Sequence, residues 1–471
     1  MNKTVAAVLI MAVLFIYGCA QPPEAEQQPI EPEAAQEGNS QQTIENTTEA
    51  QEETQETITE KIHEPEKTTT EEIQKQEEVK TPEKPEEEAF QIFNPSLTYP
   101  NAYNGPLYGT SEQVGGTGMD SYFELLDENG INYFIGMFAI FGEQEAGILT
   151  SDQNLGNVIQ AAQRHPKRII PFFNPGIGGE EIEEEGLLKT SLFGWYSDAL
   201  VSSKAIAGDN FIMGLGEVET QEWSARHNGP KIMELVSLAQ SNNINFMFHP
   251  VANKIGDVEK MIEAYPNTVF LIHMYREDLD KSMPQLIKIM KEHDNLYYSI
   301  DAAHIMHIDG DVIYEFDSTN RQSSIQKFVS YYDSKEKIFV KNAIDDYKPL
   351  VEAVPDKVMW GTEIGPAYAF DPEVFNRAVK ASRMVIAGFA PEHQEGVAYK
   401  NALRVFGEGV VADKSIKVID TSSWPYCTGS QISKCDGGCI FDEEESPEAN
   451  RCLLRCTIPL GCVEKFEMDV G

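Results

Sequence analysis

The chain has 471 residues, of which 24% are charged, and its formal net charge is −39 at pH 7. Because phosphate backbones repel so acidic a surface, this charge argues against DNA or RNA as a partner. The length exceeds what one small domain requires, so the chain is expected to contain several regions.

The first nineteen residues are typical of an export signal. Lys3 supplies a positive start, and residues 5–17 form an apolar run that as a helix reaches only ~20 Å, too short for a ~30 Å hydrocarbon core. Residues 16–19, Ile-Tyr-Gly-Cys, resemble a lipoprotein processing box that makes Cys19 the lipid-modified first residue. The sequence therefore predicts an extracytoplasmic protein anchored to the cell membrane through Cys19; an ordinary signal peptide with a chance cysteine is the alternative.

Residues 20–88 are predicted to form a disordered tether. Residues 20–90 contain 21 Glu and 5 Lys but no Arg or Asp, which gives a net charge of −16, and the remainder is mostly Thr, Gln, Pro and Ala. Such a composition cannot bury enough apolar surface to offset the entropy of ordering the chain. We therefore expect this region to be extended and solvated.

From residue 89 to 412, short apolar strands alternate with segments that have helical periodicity. The predicted strands are 90–93, 133–138, 168–173, 211–215, 245–248, 269–272, 296–300 and 358–361. Eight strand–helix units predict an α/β fold, a (β/α)8 TIM barrel, with insertions at 95–120 and 302–325. A doubly wound open sheet is the alternative, but no Gly-x-Gly-x-x-Gly follows an early strand.

Five predicted strands end in a carboxylate or a histidine, at the end of a barrel where active sites form. In chain order these residues are Glu217, His249, His273, Asp301 and Glu363. Imidazole and carboxylate groups are the usual ligands of zinc, which lowers the pKa of a bound water from ~16 to ~7. We therefore predict that Glu217, His249 and His273 bind a divalent metal, with zinc the expected ion. Glu363 is predicted to be the catalytic base or a further ligand.

Each metal-site assignment has a competing interpretation. Glu219 shares a strand face with Glu217, but Gly216 before Glu217 would let a metal or a substrate approach closely. The histidines could instead be hydrogen-bonded within the barrel mouth, and Glu217 could form an ion pair with Arg226 or Arg276.

Three residues near the strand ends are predicted to bind a small-molecule substrate. Asp301 follows strand seven, and Tyr275 with Arg276 follows strand six and could bind a substrate carboxylate. A structural hydrogen bond for Asp301 and loop packing for the other two are the alternatives. His304 and His307 stand at helical spacing within the second predicted insertion, where a surface position is favoured over metal binding.

The succession of motifs at the strand ends resembles the amidohydrolase superfamily. The matching positions are Gly216-Glu217, His249, His273 and Trp360-Gly-Thr-Glu363, and the stretch Asn401-Ala-Leu-Arg-Val-Phe-Gly407 is similar to the closing helix of the amidohydrolase-related branch. The resemblance covers residues 120–407. It implies a (β/α)8 barrel, one or two divalent metals, and hydrolysis of an amide, ester or lactone bond, or in some members decarboxylation.

Two departures from that family pattern concern the metal ligands. The family's first strand normally ends in His-x-His, but the chain contains no such pair and its predicted first strand ends Phe93-Asn-Pro-Ser96. The family's Asp after strand eight is replaced by Glu363, whose side chain is one methylene longer. A catalytically degenerate barrel that serves as a surface-anchored binding or structural lipoprotein is therefore the alternative to a hydrolase. None of these motifs encodes an oligomeric state.

Residues 413–471 are predicted to form a disulfide-rich module. No cysteine lies between residues 20 and 426, and six follow: Cys427, Cys435, Cys439, Cys452, Cys456 and Cys462. In an exported chain this density favours disulfides over the alternative of a zinc site. If the two Cys-x3-Cys pairs lie on antiparallel helices, two bridges could cross-link those helices. Cys427 and Cys462 would then form the third bridge, although six cysteines allow 15 pairings.

Overall fold

The computed structural model describes residues 99–462, apart from internal gaps, of which the longest are 140–148, 175–189, 302–320 and 436–455. The predicted signal, the predicted tether and Cys19 lie outside the described residues. None of the helices in the described part is both long enough and apolar enough to cross a membrane.

Eight parallel strands are hydrogen-bonded to their neighbours in chain order. They are β1 (Leu107–Gln113), β2 (Ile131–Ala139), β3 (Ile169–Asn174), β4 (Gly214–Val218), β5 (Asn245–Phe248), β6 (Phe270–Ile272), β7 (Leu296–Asp301) and β8 (Val358–Gly361). Among the described residues, an α-helix follows every strand: α1 (Met119–Glu128), α2 (Asn154–Arg164), α3 (Thr190–Ala207), α4 (Pro230–Ser241), α5 (Ile255–Ala264), α6 (Arg276–Glu292), α7 (Arg321–Ala353) and α8 (Pro372–Ala387). Two shorter helices, α9 (Pro391–Glu395) and α10 (Asn401–Phe406), follow α8. This alternation confirms the predicted α/β class and the (β/α)8 TIM barrel.

Seven of the eight predicted strands are confirmed, and β5 and β8 have the predicted bounds. The predicted position of the first barrel strand is wrong, because β1 lies within the stretch 95–120 that the sequence predicts to be an insertion. Residues 90–93 lie outside the described part of the chain. The sequence of β1, Leu-Tyr-Gly-Thr-Ser-Glu-Gln, has few apolar residues, so hydrophobic patterning does not reveal it.

Strand residues alternate between two cores. In β5, Phe246 and Phe248 pack toward the helices, whereas Met247 belongs to the core inside the barrel. The interior core consists of Tyr108, Ile135, Met137, Ile170, Phe172, Met247, Leu271, Met359, Ala402 and Phe406. The last two come from α10, which therefore seals the amino-terminal end of the strands. We call this the lower end of the barrel, and we call the end where the strands finish the mouth.

Side-chain hydrogen bonds link the first strand to the last two. The Thr110 hydroxyl in β1 donates to the carbonyl of Trp360 in β8, at 2.9 Å, and lies 2.7 Å from the Ser299 hydroxyl in β7. Because Thr110 has a single proton to donate, Ser299 is the donor in the second bond. Both hydroxyl residues are fully buried, so their mutual bonding explains how a polar strand fits the interior of the sheet.

Beyond α10 the chain runs along α2 from the lower end toward the mouth. The Val410 N–H donates to the Ile169 carbonyl at the start of β3, at 2.8 Å. The Gln163 side chain near the end of α2 then donates to the Asp413 carbonyl at 2.7 Å. Ile419 finally pairs with the segment that directly precedes α2. Since the helices run opposite to the strands, this path ends level with the mouth.

Two disulfides confirm that the C-terminal region is cross-linked. Cys427 bonds to Cys462 and Cys435 bonds to Cys456, so the second bridge is nested inside the first. This nesting is the arrangement that two antiparallel Cys-x3-Cys helices predict, and with four of the six cysteines paired too few thiols remain for a four-cysteine zinc site. Cys439 and Cys452 lie outside the described residues, and a third bridge between them stays a prediction.

Candidate functional site

An irregularity near the end of β4 sets the orientation of Glu217. The strands β4 and β5 align at Leu215 with Phe246 and at Val218 with Phe248, so β4 has one extra residue between these pairs. Leu215 and Val218 both pack in the outer core. Because glycine occupies the other position between them, Glu217 provides the only side chain on the inner face of this segment. Its side chain is buried, with 4% of the residue exposed.

Gly216 is required by the packing of the two strands. Its φ is +138°, and a Cβ atom there would lie 2.3 Å from the Met247 carbonyl oxygen of β5. The predicted reason for this glycine, room for a metal or a substrate, is therefore not needed. The glycine lets β4 approach β5 closely, and this approach brings Glu217 to the neighbouring strand end.

His249 follows β5 directly and is fully buried. Its N–H donates to the Val218 carbonyl at 3.0 Å, which ties the ends of β4 and β5 together. Because Met247 faces the interior, alternation along the strand places His249 on the same inner face. A buried carboxylate and a buried imidazole thus stand at adjacent strand ends at the mouth. These are the donor types that zinc and similar ions take, so the residues present fit a divalent metal.

The connection between β4 and α4 contains two buried residues that the sequence does not predict to belong to the site. Thr220 and His227 are both fully buried, with 0% of each residue exposed to solvent. The His227 Nε2 accepts a hydrogen bond from the Val251 N–H at 3.1 Å and lies 3.2 Å from the Thr220 hydroxyl oxygen. Burial lowers the pKa of His227 to about 4. Neither residue ends a strand, so the strand-end criterion does not select them.

Arg226 pairs with Asp257 and not with Glu217. Its guanidinium makes two hydrogen bonds to the Asp257 carboxylate on α5, at 3.0 and 3.1 Å, and its side chain is 62% exposed. The hydrogen bond from Arg226 is the main reason that the pKa of Asp257 is lowered. The alternative of an ion pair between Arg226 and Glu217 is therefore wrong.

The other predicted site residues are described in part or not at all. Asp301 is the last residue of β7 and pairs with Gly361 of β8, and Arg276 is the first residue of α6; their side chains lie outside the description. Five further residues lie wholly outside the described part of the chain: His273, Tyr275, Glu363, His304 and His307. Glu219, the competitor of Glu217, is also outside it. The structure does describe the residues that precede His273 and Glu363. Ile272, the last residue of β6, precedes His273, and the buried Thr362 precedes Glu363.

A second group of metal-ligand residue types lies away from the mouth. Ligand atoms of Glu259, Glu292 and His293 come within 4.8 Å of one another. His293 stands just before β7 begins, so this cluster lies toward the lower end. The Lys288 ammonium is 3.0 Å from the Glu259 carboxylate and 2.6 Å from that of Glu292. The Lys288 ammonium explains why the Glu259 and Glu292 carboxylates lie close together. The sequence alone does not predict this cluster.

Comparison with known proteins gives structural likeness only. No protein-family model matches the chain, and no curated protein matches it. A structure described as a probable 2-pyrone-4,6-dicarboxylic acid hydrolase from Acinetobacter baumannii, with citric acid bound, is 14% identical. The match covers 64% of this chain and 99% of that one, with a TM-score of 0.39.

A Burkholderia multivorans amidohydrolase with bound zinc is 11% identical, with 64% of this chain and all of that chain covered and a TM-score of 0.37. A monomeric dihydrodipicolinate synthase variant also matches, at 12% identity and a TM-score of 0.27, over 53% of this chain and 82% of that one. Of the three, the Burkholderia protein is described as an amidohydrolase. These matches assign no chemistry to this chain, because barrels of this kind host many chemistries.

Proposed function

We propose that this chain is a metal-dependent hydrolase that cleaves an amide, ester or lactone bond of a small molecule. The observation that carries the proposal is the placement of Glu217 and His249, both buried, on the inner face of adjacent strand ends at the mouth. In (β/α)8 barrels this end holds the active site. Buried ionisable groups there are candidates for chemistry, because burial without a function would only reduce stability.

Two residues that the sequence predicts extend the ligand set that we propose. Leu271 of β6 and Met359 of β8 belong to the interior core. In the sequence, His273 comes two residues after Leu271 and Glu363 comes four residues after Met359. Glu217, His249 and His273 would hold one divalent ion, with zinc the expected ion, and Glu363 would stand beside it.

The proposed chemistry is hydrolysis by water. A divalent ion bound here would lower the pKa of water from ~16 to ~7 and make hydroxide available at neutral pH. Glu363 would accept the proton of the attacking water and return it to the leaving group. Asp301, Tyr275 and Arg276 would bind the substrate, with the arginine suited to a carboxylate.

One observation favours a second candidate function. The strand β1 carries no histidine, so the described first strand contributes no imidazole to the mouth. With fewer ligands, the barrel could bind a small molecule at the membrane surface without chemistry. The two candidates differ in whether the protein holds a stoichiometric metal.

The test is metal analysis of the purified chain without its first nineteen residues. We expect about one equivalent of zinc, manganese or iron after supplementation, and loss of that metal in Glu217→Gln and in His249→Asn. His293→Gln is the matched control, because this histidine belongs to the cluster at the lower end. A wild-type protein that holds no stoichiometric metal would contradict the hydrolase and favour the binding module.

We also propose that the mature protein is attached to the membrane by a lipid on Cys19, with residues 20–88 as an acidic spacer. The support is the apolar run of residues 5–17 and the Gly-Cys at its end. Partition into the detergent phase after extraction tests this proposal. Wild-type protein is expected in that phase and Cys19→Ser in the aqueous phase, and equal partition of the two would argue for an ordinary signal peptide.

A further inference from the structure

We propose that Thr220 and His227 are positioning residues that fix the backbone on both sides of His249 and so aim its imidazole into the mouth. The inference rests on the metal role proposed above for His249. Both residues belong to the connection between β4 and α4. All three are fully buried, so each polar contact among them is made away from water.

Thr220 acts on the backbone of His249 itself. The Val218 carbonyl accepts two N–H groups, that of Thr220 at 2.9 Å and that of His249 at 3.0 Å. The Thr220 hydroxyl donates to the carbonyl of His249. His249 is therefore held at its N–H and at its carbonyl by the end of β4. Fixing these two groups fixes the direction of its Cα–Cβ bond, from which the imidazole extends.

His227 holds the residues on either side of His249. Its Nε2 lies 3.1 Å from the Val251 nitrogen, whose N–H can only donate, so Nε2 is the acceptor and the neutral ring carries its proton on Nδ1. The ring also packs edge-on against Phe248, with centroids 5.7 Å apart and planes at 61°. The low pKa of His227 agrees with this neutral state, because burial disfavours the imidazolium.

These contacts exceed what a covering loop requires. Apolar side chains could cover the end of β5 without the cost of burying a hydroxyl and an imidazole. Here two polar side chains converge on one short segment, and that segment contains the proposed metal ligand. Groups that orient metal-binding histidines typically change metal affinity by about 10–100-fold when they are removed.

The test is a titration of the full chain with Co²⁺, whose visible absorption reports both affinity and ligand geometry. Thr220→Val removes the hydroxyl and keeps the shape, and His227→Leu removes the acceptor for the Val251 N–H. We expect both to weaken Co²⁺ binding by about 10–100-fold and to shift the absorption band. Thr220→Ser and His227→Gln keep a hydroxyl and an acceptor and are expected to restore the wild-type spectrum.

Thr268→Val is the matched control. Thr268 is buried at the lower end, before β6, and its hydroxyl has no hydrogen-bond partner among the described residues. If Thr220→Val and His227→Leu lower thermal stability but bind Co²⁺ as the wild type does, the two residues are only structural and the inference is wrong. If wild-type protein binds no Co²⁺, the proposed function fails, and the inference that rests on it fails as well.

Discussion

The mouth of the barrel and its lower end carry the same kinds of side chain in different surroundings. At the mouth, Glu217 and His249 are 4% and 0% exposed at adjacent strand ends. Toward the lower end, the side chains of Glu259 and His293 are 28% and 18% exposed, and the Lys288 ammonium contacts the acidic group. Residue type alone therefore does not distinguish a proposed metal site from a surface ion network, whereas burial does.

Burial changes what a bound cation contributes in each region. An ionised group inside a protein loses its hydration, and the loss is large unless a partner compensates for it. A divalent ion at the mouth would offset that loss, so metal binding there should stabilise the fold. At the lower end the acidic groups keep much of their water and already have Lys288, so a metal should add little.

The largest expected effect is on stability when the metal is removed. With zinc at a thousand times its dissociation constant, the wild-type protein should gain about 4 kcal/mol in its free energy of unfolding over chelator-treated protein. Glu217→Gln should abolish most of this gain, whereas His293→Gln should retain it. Urea unfolding with and without zinc measures both. Loss of the gain in His293→Gln instead would reverse the assignment of the two regions.

One glycine at each end of the barrel allows the cost of adding a Cβ atom to be compared between the mouth and the lower end. Gly216→Ala at the mouth should lower the free energy of unfolding by about 3 kcal/mol, because its positive φ and the nearby Met247 carbonyl both oppose a Cβ atom. Gly407 at the lower end also has a positive φ, +69°, but nothing lies within 4 Å of an added Cβ. Gly407→Ala should therefore cost only about 1–2 kcal/mol. Equal costs in urea unfolding would mean that β4 can move away from β5.

The pH dependence of stability tests the buried histidine at the mouth. The pKa of His227 is about 4 in the folded chain, against 6.5 for an unperturbed histidine, and desolvation is the main cause; the charged neighbours are Lys254 and Asp257. As the pH falls, His227 therefore takes up a proton at a higher pH in the unfolded chain than in the folded chain. Its contribution to the free energy of unfolding is fully present above pH about 6.5 and falls by roughly 3 kcal/mol as the pH approaches about 4.

His227→Gln keeps an acceptor but cannot titrate, so its unfolding free energy should vary less over this pH window than that of the wild type. His393→Gln on α9 is the control for removing a histidine that is not fully buried. Parallel pH profiles of wild type and His227→Gln would show that His227 is already protonated or solvated in the folded chain.

Local pattern predicted the parts of the fold that are apolar and continuous. β5 and β8 are short buried runs, and their bounds follow from hydrophobic residues alone. β1 could not be found this way, since Thr110 is accommodated by hydrogen bonds to residues of β7 and β8 that are 189 and 250 positions away. Polar strand interiors are satisfied by tertiary partners that a local window does not contain.

The same distinction applies to the site. The sequence predicts Glu217 and His249 because they end strands, and the barrel brings strand ends together. It does not predict His227, because the role of His227 depends on contact with Val251, 24 residues later. The sequence also does not predict the packing reason for Gly216, because only the structure shows the Met247 carbonyl beside it. Sequence patterns predict which face a residue occupies more readily than the atoms that surround it.

The smallest expected effect is at the lower end. Lys288→Gln removes the ammonium that contacts the Glu259 and Glu292 carboxylates, but Lys288 is 55% exposed, so its ion pairs are screened by water and salt. The melting temperature should fall by no more than about 2 °C at low salt, and by less at high salt. Zinc binding at the mouth should be unchanged. If Lys288→Gln instead gained a stoichiometric zinc ion that His293→Gln removed, the lower cluster would be a latent metal site masked by its lysine, and burial would not be what separates the two regions.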